Sequence, residues 1–453
     1  MKTRRLAAAV AGGIASVMVL SACGASADPG GSGDGGTDGV TIDVLAVNLP
    51  AQEDLVKLTD EHFTKKTGIK VNFTLLPEND VRAKITQEFS SQAGVYDIAT
   101  LSNYEIPFYA DNGWVTSLDK YLKEDADLIE ADDLLPSMMD SMTGPGDEVY
   151  GLPFEGQSSF TMYRKSVFDE LGLVMPDNPT WDEIADLAAQ IDDKSSMKGI
   201  CLRGLPGWGQ QLAPLNTVIN TFGGTWFDMD WNAQLTAPET VEAVNFYVDL
   251  IQKHGEPGAA QAGFTECLNY FQQGEVAMWV DATNAGGPVE SSSSPIAGDI
   301  GYAQSPVNKT DASGWLWTWA WGIEEASDQK DAAWKFISWA SSREYEELVA
   351  EEFGWASVPY GKRQSTFDNP AFQEGAPFYQ AAKTAISSVD ANNPGVQPRP
   401  YAGVQFVGVP EFISLGTTVS EEIAGAIAGT TTVEAALEKA QKLAQDVGDK
   451  YKK

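Results

Sequence analysis

The chain has 453 residues, enough for two large lobes or two to three domains, and its 43% hydrophobic and 10% aromatic content is globular. A formal net charge of −34, with no long block of Lys or Arg, argues against a nucleic-acid partner. The two histidines, His62 and His254, lie far apart in helix-like surroundings, so neither a metal site nor a cofactor is expected.

Lys2, Arg4 and Arg5 form a basic start, followed by the short apolar run Leu6 to Leu20. That run is too short and too rich in small residues to span a membrane. Leu20-Ser21-Ala22-Cys23 resembles a bacterial lipobox, which implies a signal peptide over 1–22 and lipidation of Cys23. Residues 23–40 then form the lipidated Cys and a tether. Its Asp28–Gly39 segment carries no large apolar side chain and spans about 20 Å root-mean-square. The chain would sit on the extracytoplasmic face of the cell membrane, held by lipid and not by a spanning helix.

Val40–Asn48 reads as a strand, Asp54–Thr67 as a helix closed by Gly68, and Ile69–Leu76 as a second strand. A helix over about Asp80–Ala93 and a third strand at Tyr96–Leu101 follow. The alternation predicts an α/β fold with a parallel, doubly wound sheet, where ligands sit beyond the carboxyl ends of the strands. Asn48 and the loop Asn103-Tyr104-Glu105 become candidates on that ground. No glycine-rich phosphate motif follows a strand, so no nucleotide site is expected. Tyr150–Arg164 is punctuated by Gly151 and Pro153 and continues as a β-rich run holding Glu155 and Gln157. Thr180-x-x-Glu183 and Thr236-x-x-Glu239 read as capping boxes opening helices to Ile191 and about His254. Gly199–Gly209 reads as a strand and a glycine-rich turn presenting Arg203 and Trp208. Gly274–Asp281 is a strand ending in a carboxylate, Pro288–Ala297 a polar loop, and Gly301–Pro306 a short strand. For Cys201 and Cys267 an oxidising compartment permits a bridge, but the sequence leaves bridge and buried thiols both open. The tail Thr431–Lys453 reads as an amphipathic helix opened by Thr431-x-x-Glu434, with Val433, Ala436, Leu437, Ala440 and Leu443 facing a core. No repeat at solenoid spacing is visible.

Gly314–Gly322 reads Gly-Trp-Leu-Trp-Thr-Trp-Ala-Trp-Gly. In a strand, Trp315, Trp317, Trp319 and Trp321 share one face, with successive indoles ~6.6 Å apart. Flat apolar faces combined with N–H donors suit a ligand with C–H surfaces and hydroxyls, such as a sugar or sugar alcohol.

Together these motifs resemble the extracellular solute-binding lipoproteins of bacterial ABC importers, in particular the branch taking mannitol, sorbitol and related polyols. Tyr150–Arg164, Leu202–Gly209, Asn220–Phe227, Met278–Thr283 and Val404–Phe412 carry the resemblance, which covers about residues 41 to 447. It departs at Glu155-Gly156-Gln157, where the branch leads one to expect an aromatic, Gly and Glu, so the pattern of donors and acceptors differs there. The resemblance implies a two-lobed periplasmic-binding-protein-like α/β fold with the ligand in a cleft between lobes joined by crossing hinge segments. Crossings near Leu152, Ser313 and Trp355 would give lobe 1 as 41–152 plus 313–355 and lobe 2 as 153–312 plus 356–453. Trp315 and Trp317 would then border the cleft, while Trp319 and Trp321 pack under helices of lobe 1. For the ligand site the resemblance implies Arg203 as donor, Asp281 and Glu155 as acceptors, and Trp208, Trp315 and Trp317 as apolar faces. Asn103, Tyr104, Gln157 and Gln405 complete the expected set. The implied function is non-enzymatic: a monomer captures mannitol, sorbitol or arabitol and delivers it to the transmembrane subunits of an ABC permease. The alternatives are a binder of mono- or oligosaccharides, or a lipid-anchored glycoside hydrolase with paired carboxylates.

Overall fold

The first strand, β1 (Thr41–Val47), is apolar on both faces because both are covered: Ile42, Val44 and Ala46 enter one core, Leu45 and Val47 another. This computed structural model of the protein describes residues 39–390 and 392–452; the expected signal peptide, Cys23 and nearly all of the tether lie outside the described residues. After β1 a helix starts at Pro50, whose missing N–H costs nothing in a first turn, and the helical stretch ends at Gly68 with φ 76°. β2 (Lys70–Leu76), the helix Glu78–Ser91 and β3 (Ile98–Ser102) complete the expected alternation, with β1 parallel to both neighbours.

β4 (Leu152–Gln157) continues into β5 (Ser159–Arg164), but the two strands belong to different sheets. β6 (Lys198–Cys201), β7 (Val276–Ala282), β8 (Ile300–Gln304) and β9 (Trp317–Ile323) follow. The first sheet has the order β2-β1-β3-β9-β4 and the second β6-β7-β5-β8. The parallel arrangement expected throughout holds for β1 to β3; β9 runs antiparallel to both β3 and β4, which makes the sheet mixed. The chain changes sheet at Ser158, later than the crossing expected near Leu152, because β4 pairs with β9 over Leu152–Gln157. Gly156 permits this: a Cβ there would stand 2.5 Å from the Gly361 carbonyl oxygen, while its N–H donates to Tyr360 O at 2.9 Å.

One face of the first sheet packs under the helices Pro50–Thr59, Lys330–Ala340 and Arg343–Phe353 through Leu55, Phe336, Ile337 and Tyr345. The other face joins an apolar core that runs without a break into the second sheet. The resulting molecule is a two-lobed α/β protein in which the described conformation brings the lobes together.

Three local expectations need correction. Thr236 does not cap the helix Pro238–His254; Ala237 occupies that position and Pro238 fixes the first turn. The C-terminal helix, Val433–Tyr451, is capped by Thr432, whose hydroxyl accepts from Ala435 N at 3.2 Å, one residue after the Thr431 expected. Its inner face continues through Ala444 and Val447, and Leu443 is half-buried at its edge. Finally, Pro288–Glu290, assigned to a loop, belong to the short helix Gly286–Glu290.

Candidate functional site

β6 and β7 are parallel, pairing Cys201 with Trp279, so their carboxyl ends emerge side by side. Arg203 follows one and Asp281 closes the other. Arg203 Nε and Nη2 donate to the two Asp281 oxygens at 2.8 and 2.5 Å, and Nη1 donates to Gly209 O at 3.2 Å. Trp279 Nε1 and the Ala282 N–H also donate to Asp281, which is fully buried. Burial opposes the Arg203 charge, yet Asp281 outweighs it and raises the guanidinium's proton affinity. A guanidinium has five N–H groups, so with three engaged here two remain for a ligand. Asp281 itself does not line the cavity described next; it orients Arg203 from behind.

Trp315, Trp317 and Trp319 wall a narrow cavity of about 30 Å³. Gln157, Arg203, Asn284, Gln405 and Glu78 supply its polar lining, and Leu49, Phe264 and Phe406 further apolar surface. Gln157 Oε1 and Asn284 Oδ1 are buried with no hydrogen-bond partner among the described residues. Buried polar atoms without partners are costly, so these acceptors are suited to donors from a ligand. Gln405 Nε2 reaches Leu316 O at 3.3 Å.

The division expected within the tryptophan stretch shifts at one residue, Trp319. β9 begins at Trp317, so Trp315 precedes the strand, and Trp319 turns to the cavity instead of packing under helices. Trp321 alone enters the helix-covered core, edge-on to Phe154 and Phe336.

Several other candidates are spent on structure. Asn103 clamps β9 by accepting from Thr318 N at 3.1 Å and donating toward Leu316 O. The Tyr104 hydroxyl donates to Val407 O and Val409 O at 3.1 and 3.0 Å, and its ring packs on Trp208 and Phe406. Neither lines the cavity, nor do Asn48 and Trp208. Trp208 instead lies against the Arg82 guanidinium, 4.2 Å from its ring centre. Glu155 is buried and lines an adjoining, larger space; its Oε2 accepts from Asn284 Nδ2 at 3.1 Å. Burial pushes its carboxyl up to about 7, against the Asn284 hydrogen bond and the Lys362 charge.

The residues not anticipated are Glu78, Arg82, Phe264 and Asn284. Arg82 donates to Glu78 and Glu105 and stacks within 5.1 Å of Trp317 and 4.9 Å of Trp319. Glu78 Oε2 accepts from Gln210 Nε2 at 2.8 Å, and Asn79 Nδ2 donates to Pro206 O at 2.9 Å, so the helix that follows β2 grips the turn that follows β6. Gly209 leaves room for that grip, because a Cβ there would meet Glu78 Oε1 at 2.7 Å. Helix Glu78–Ser91 starts at the carboxyl end of β2, and that placement was the available signal; the i, i+4 spacing of Glu78 and Arg82 reads equally as a solvated surface pair.

Cys201 and Cys267 form a disulfide with Cα atoms 5.7 Å apart, settling the choice left open by the sequence. It joins the segment bearing Arg203 to the helix Phe264–Gln273. Among the described residues no helix is long and apolar enough to cross a membrane.

Residues 46–347 match the family described as bacterial extracellular solute-binding protein. A mannitol-binding protein of Pseudomonas aeruginosa is 37% identical over 404 residues, 88% of this chain and 91% of the relative. An erythritol/L-threitol-binding protein of Mycolicibacterium smegmatis is 30% identical over 390 residues, 78% of this chain and 79% of the relative. The crystal structure of an ABC transporter solute-binding protein from Agrobacterium vitis S4 with bound D-mannitol superposes with a TM-score of 0.87. It is 42% identical and covers 91% of this chain and 99% of its own.

Proposed function

The chain belongs to the bacterial extracellular solute-binding protein family, and on that premise we propose that it captures an acyclic polyol, such as mannitol, sorbitol or arabitol. The observation that carries the proposal is the cavity itself: three indoles, two free N–H groups of Arg203, and two buried acceptors without partners. Each hydroxyl of a polyol both donates and accepts, and its C–H backbone needs apolar surface. Both cations beside the cavity are already paired, Arg203 with Asp281 and Arg82 with Glu78 and Glu105, which disfavours an anionic ligand.

Binding residues are assigned to Gln157, Arg203, Asn284, Trp315, Trp317, Trp319 and Gln405, with Asp281 and Glu78 as positioning groups. Capture without turnover is supported by the lining, where Glu78 is the one acid among the described residues while glycoside hydrolysis uses two flanking the scissile bond. Sheet membership supports a division of the lobes into β1–β4 with β9 against β5–β8. A closed, ligand-bound monomer, anchored through lipid on Cys23, would hand its cargo to the transmembrane subunits of an ABC importer.

Calorimetric titration with mannitol, sorbitol and arabitol, beside glucose, maltose and an amino acid, tests this. A one-to-one polyol complex with a dissociation constant in the micromolar range or tighter, ~−8 kcal/mol or better, is the expected result. Heat from maltose or the amino acid with none from any polyol would replace the ligand assignment.

A further inference from the structure

The cavity walled by the indoles adjoins a second, larger one of about 420 Å³, and Leu49, Phe264 and Asn284 line both. Asn284 stands at the junction: Nδ2 donates to Glu155 in the larger space, while Oδ1 is buried without a partner among the described residues. Beyond it the walls are hydroxyl- and carboxylate-rich, with Ser291, Ser292, Ser293 and Ser357 beside Glu155. The rim reaches solvent at Glu53, Lys57 and Ser292. Four acids, Glu53, Asp54, Glu155 and Glu352, face one cation, Lys57, already paired with Asp54 at 2.8 Å. Such a space offers acceptors to hydroxyl donors and repels anions. No indole lines it, so it does not repeat the first cavity; it differs in chemistry as well as size.

We propose that this second cavity is an extension of the ligand site that takes a neutral glycosyl group borne on one end of an acyclic polyol. The inference rests on the polyol reading above. A substituent at the polyol terminus nearest Asn284 passes the junction into a space of about 420 Å³, within the ~300–1,000 Å³ of most small-molecule pockets, with the lobes still together. Its hydroxyls then donate to Glu155, to Asn284 Oδ1 and to the serine oxygens. Glu155, kept protonated to about 7 by burial, adds a donor at acidic pH. A phosphate at the same terminus would meet the carboxylates of Glu53, Asp54 and Glu352 and be rejected.

The test titrates the whole chain with free sorbitol, with an α-glucosyl sorbitol and with sorbitol phosphate. The glucosyl compound is expected within about tenfold of free sorbitol, and the phosphate at least about 100-fold weaker. A second arm uses Leu268→Trp, which narrows the second cavity at a residue that does not line the first. It should leave free sorbitol unchanged and weaken the glucosyl compound about tenfold or more. Binding of free sorbitol with none of the glucosyl compound overturns the extension, as does a Leu268→Trp protein that binds both ligands as the parent does. Failure of every free polyol to bind would instead remove the reading on which the extension rests.

Discussion

Replacing Asp281 by Asn probes how the site is built, because Asp281 serves Arg203 and Arg203 serves the ligand. The substitution keeps the shape of the side chain but sets an amide donor or a neutral oxygen against a guanidinium that is almost fully buried. Removing one partner of a buried ion pair costs about 3–5 kcal/mol, since the remaining charge stays buried and uncompensated. Loss of the Trp279 and Ala282 hydrogen bonds to a charged acceptor adds to that figure. Affinity falls separately: a guanidinium no longer fixed in its fork loses charge-assisted bonds of about 1.5–3 kcal/mol, roughly 10- to 150-fold. The paired replacement Arg203→Met with Asp281→Leu distinguishes the two effects. It removes both charges, so stability should return to within about 1–2 kcal/mol of the parent, while affinity stays low. Urea unfolding and calorimetric titration of the three variants measure both quantities. A stable Asp281→Asn protein, or a double variant that binds polyol as tightly as the parent, would refute the assignment of Arg203 as donor and Asp281 as its support.

The tryptophan stretch should divide between Trp319 and Trp321. Trp321→Ala should cost about 3–5 kcal/mol of folding free energy, as for a fully buried aromatic, with little change in affinity for the folded protein; Trp319→Ala should lower affinity at least tenfold by titration. Glu256 gives a pH signature: it is buried, neither oxygen has a hydrogen-bond partner among the described residues, and burial raises its carboxyl from 4.5 to about 7. Between these values the folded chain holds a proton that the unfolded chain has lost, so its contribution to stability falls as pH rises from about 4.5 to 7 and is level above. Glu256→Gln should therefore remove a loss of order 3 kcal/mol, seen as a gap in unfolding free energy that opens across that window; a gap that is constant from pH 4 to 8 would contradict it.

The sequence carries the fold well where hydrophobic pattern and spacing coincide. β1, β2 and β3 alternate with helices, Gly68 ends the first helical stretch as its left-handed conformation requires, and the Thr180 box closes as expected. The two-lobed architecture came through the resemblance, not through periodicity. Within the site, Arg203, Gln157, Trp315, Trp317 and Gln405 were legible because they sit at strand ends or in motifs. What stayed hidden depends on direction. Asn103 and Tyr104 stand at the end of β3, where a ligand residue belongs, but their polar atoms close backbone gaps in β9 and in the 407–409 segment. Trp319 and Trp321 share a spacing and differ only in which neighbours cover them, Arg82 in one case and Phe336 in the other. No one-dimensional pattern records that difference.

Arg203 and Phe264 belong to distant stretches of chain, yet the bond between Cys201 and Cys267 makes their supports one mechanical piece. A bridge spanning 66 residues removes roughly 4 kcal/mol worth of freedom from the unfolded chain, on a chain-entropy estimate. That gain exists only where thiols stay oxidised. In a reducing cytosol the same polypeptide must hold its donor wall against its apolar wall by packing alone. The stability of the folded chain is thereby tied to the redox state of the surroundings, so a chain that has not left the cytosol unfolds more readily than one that has.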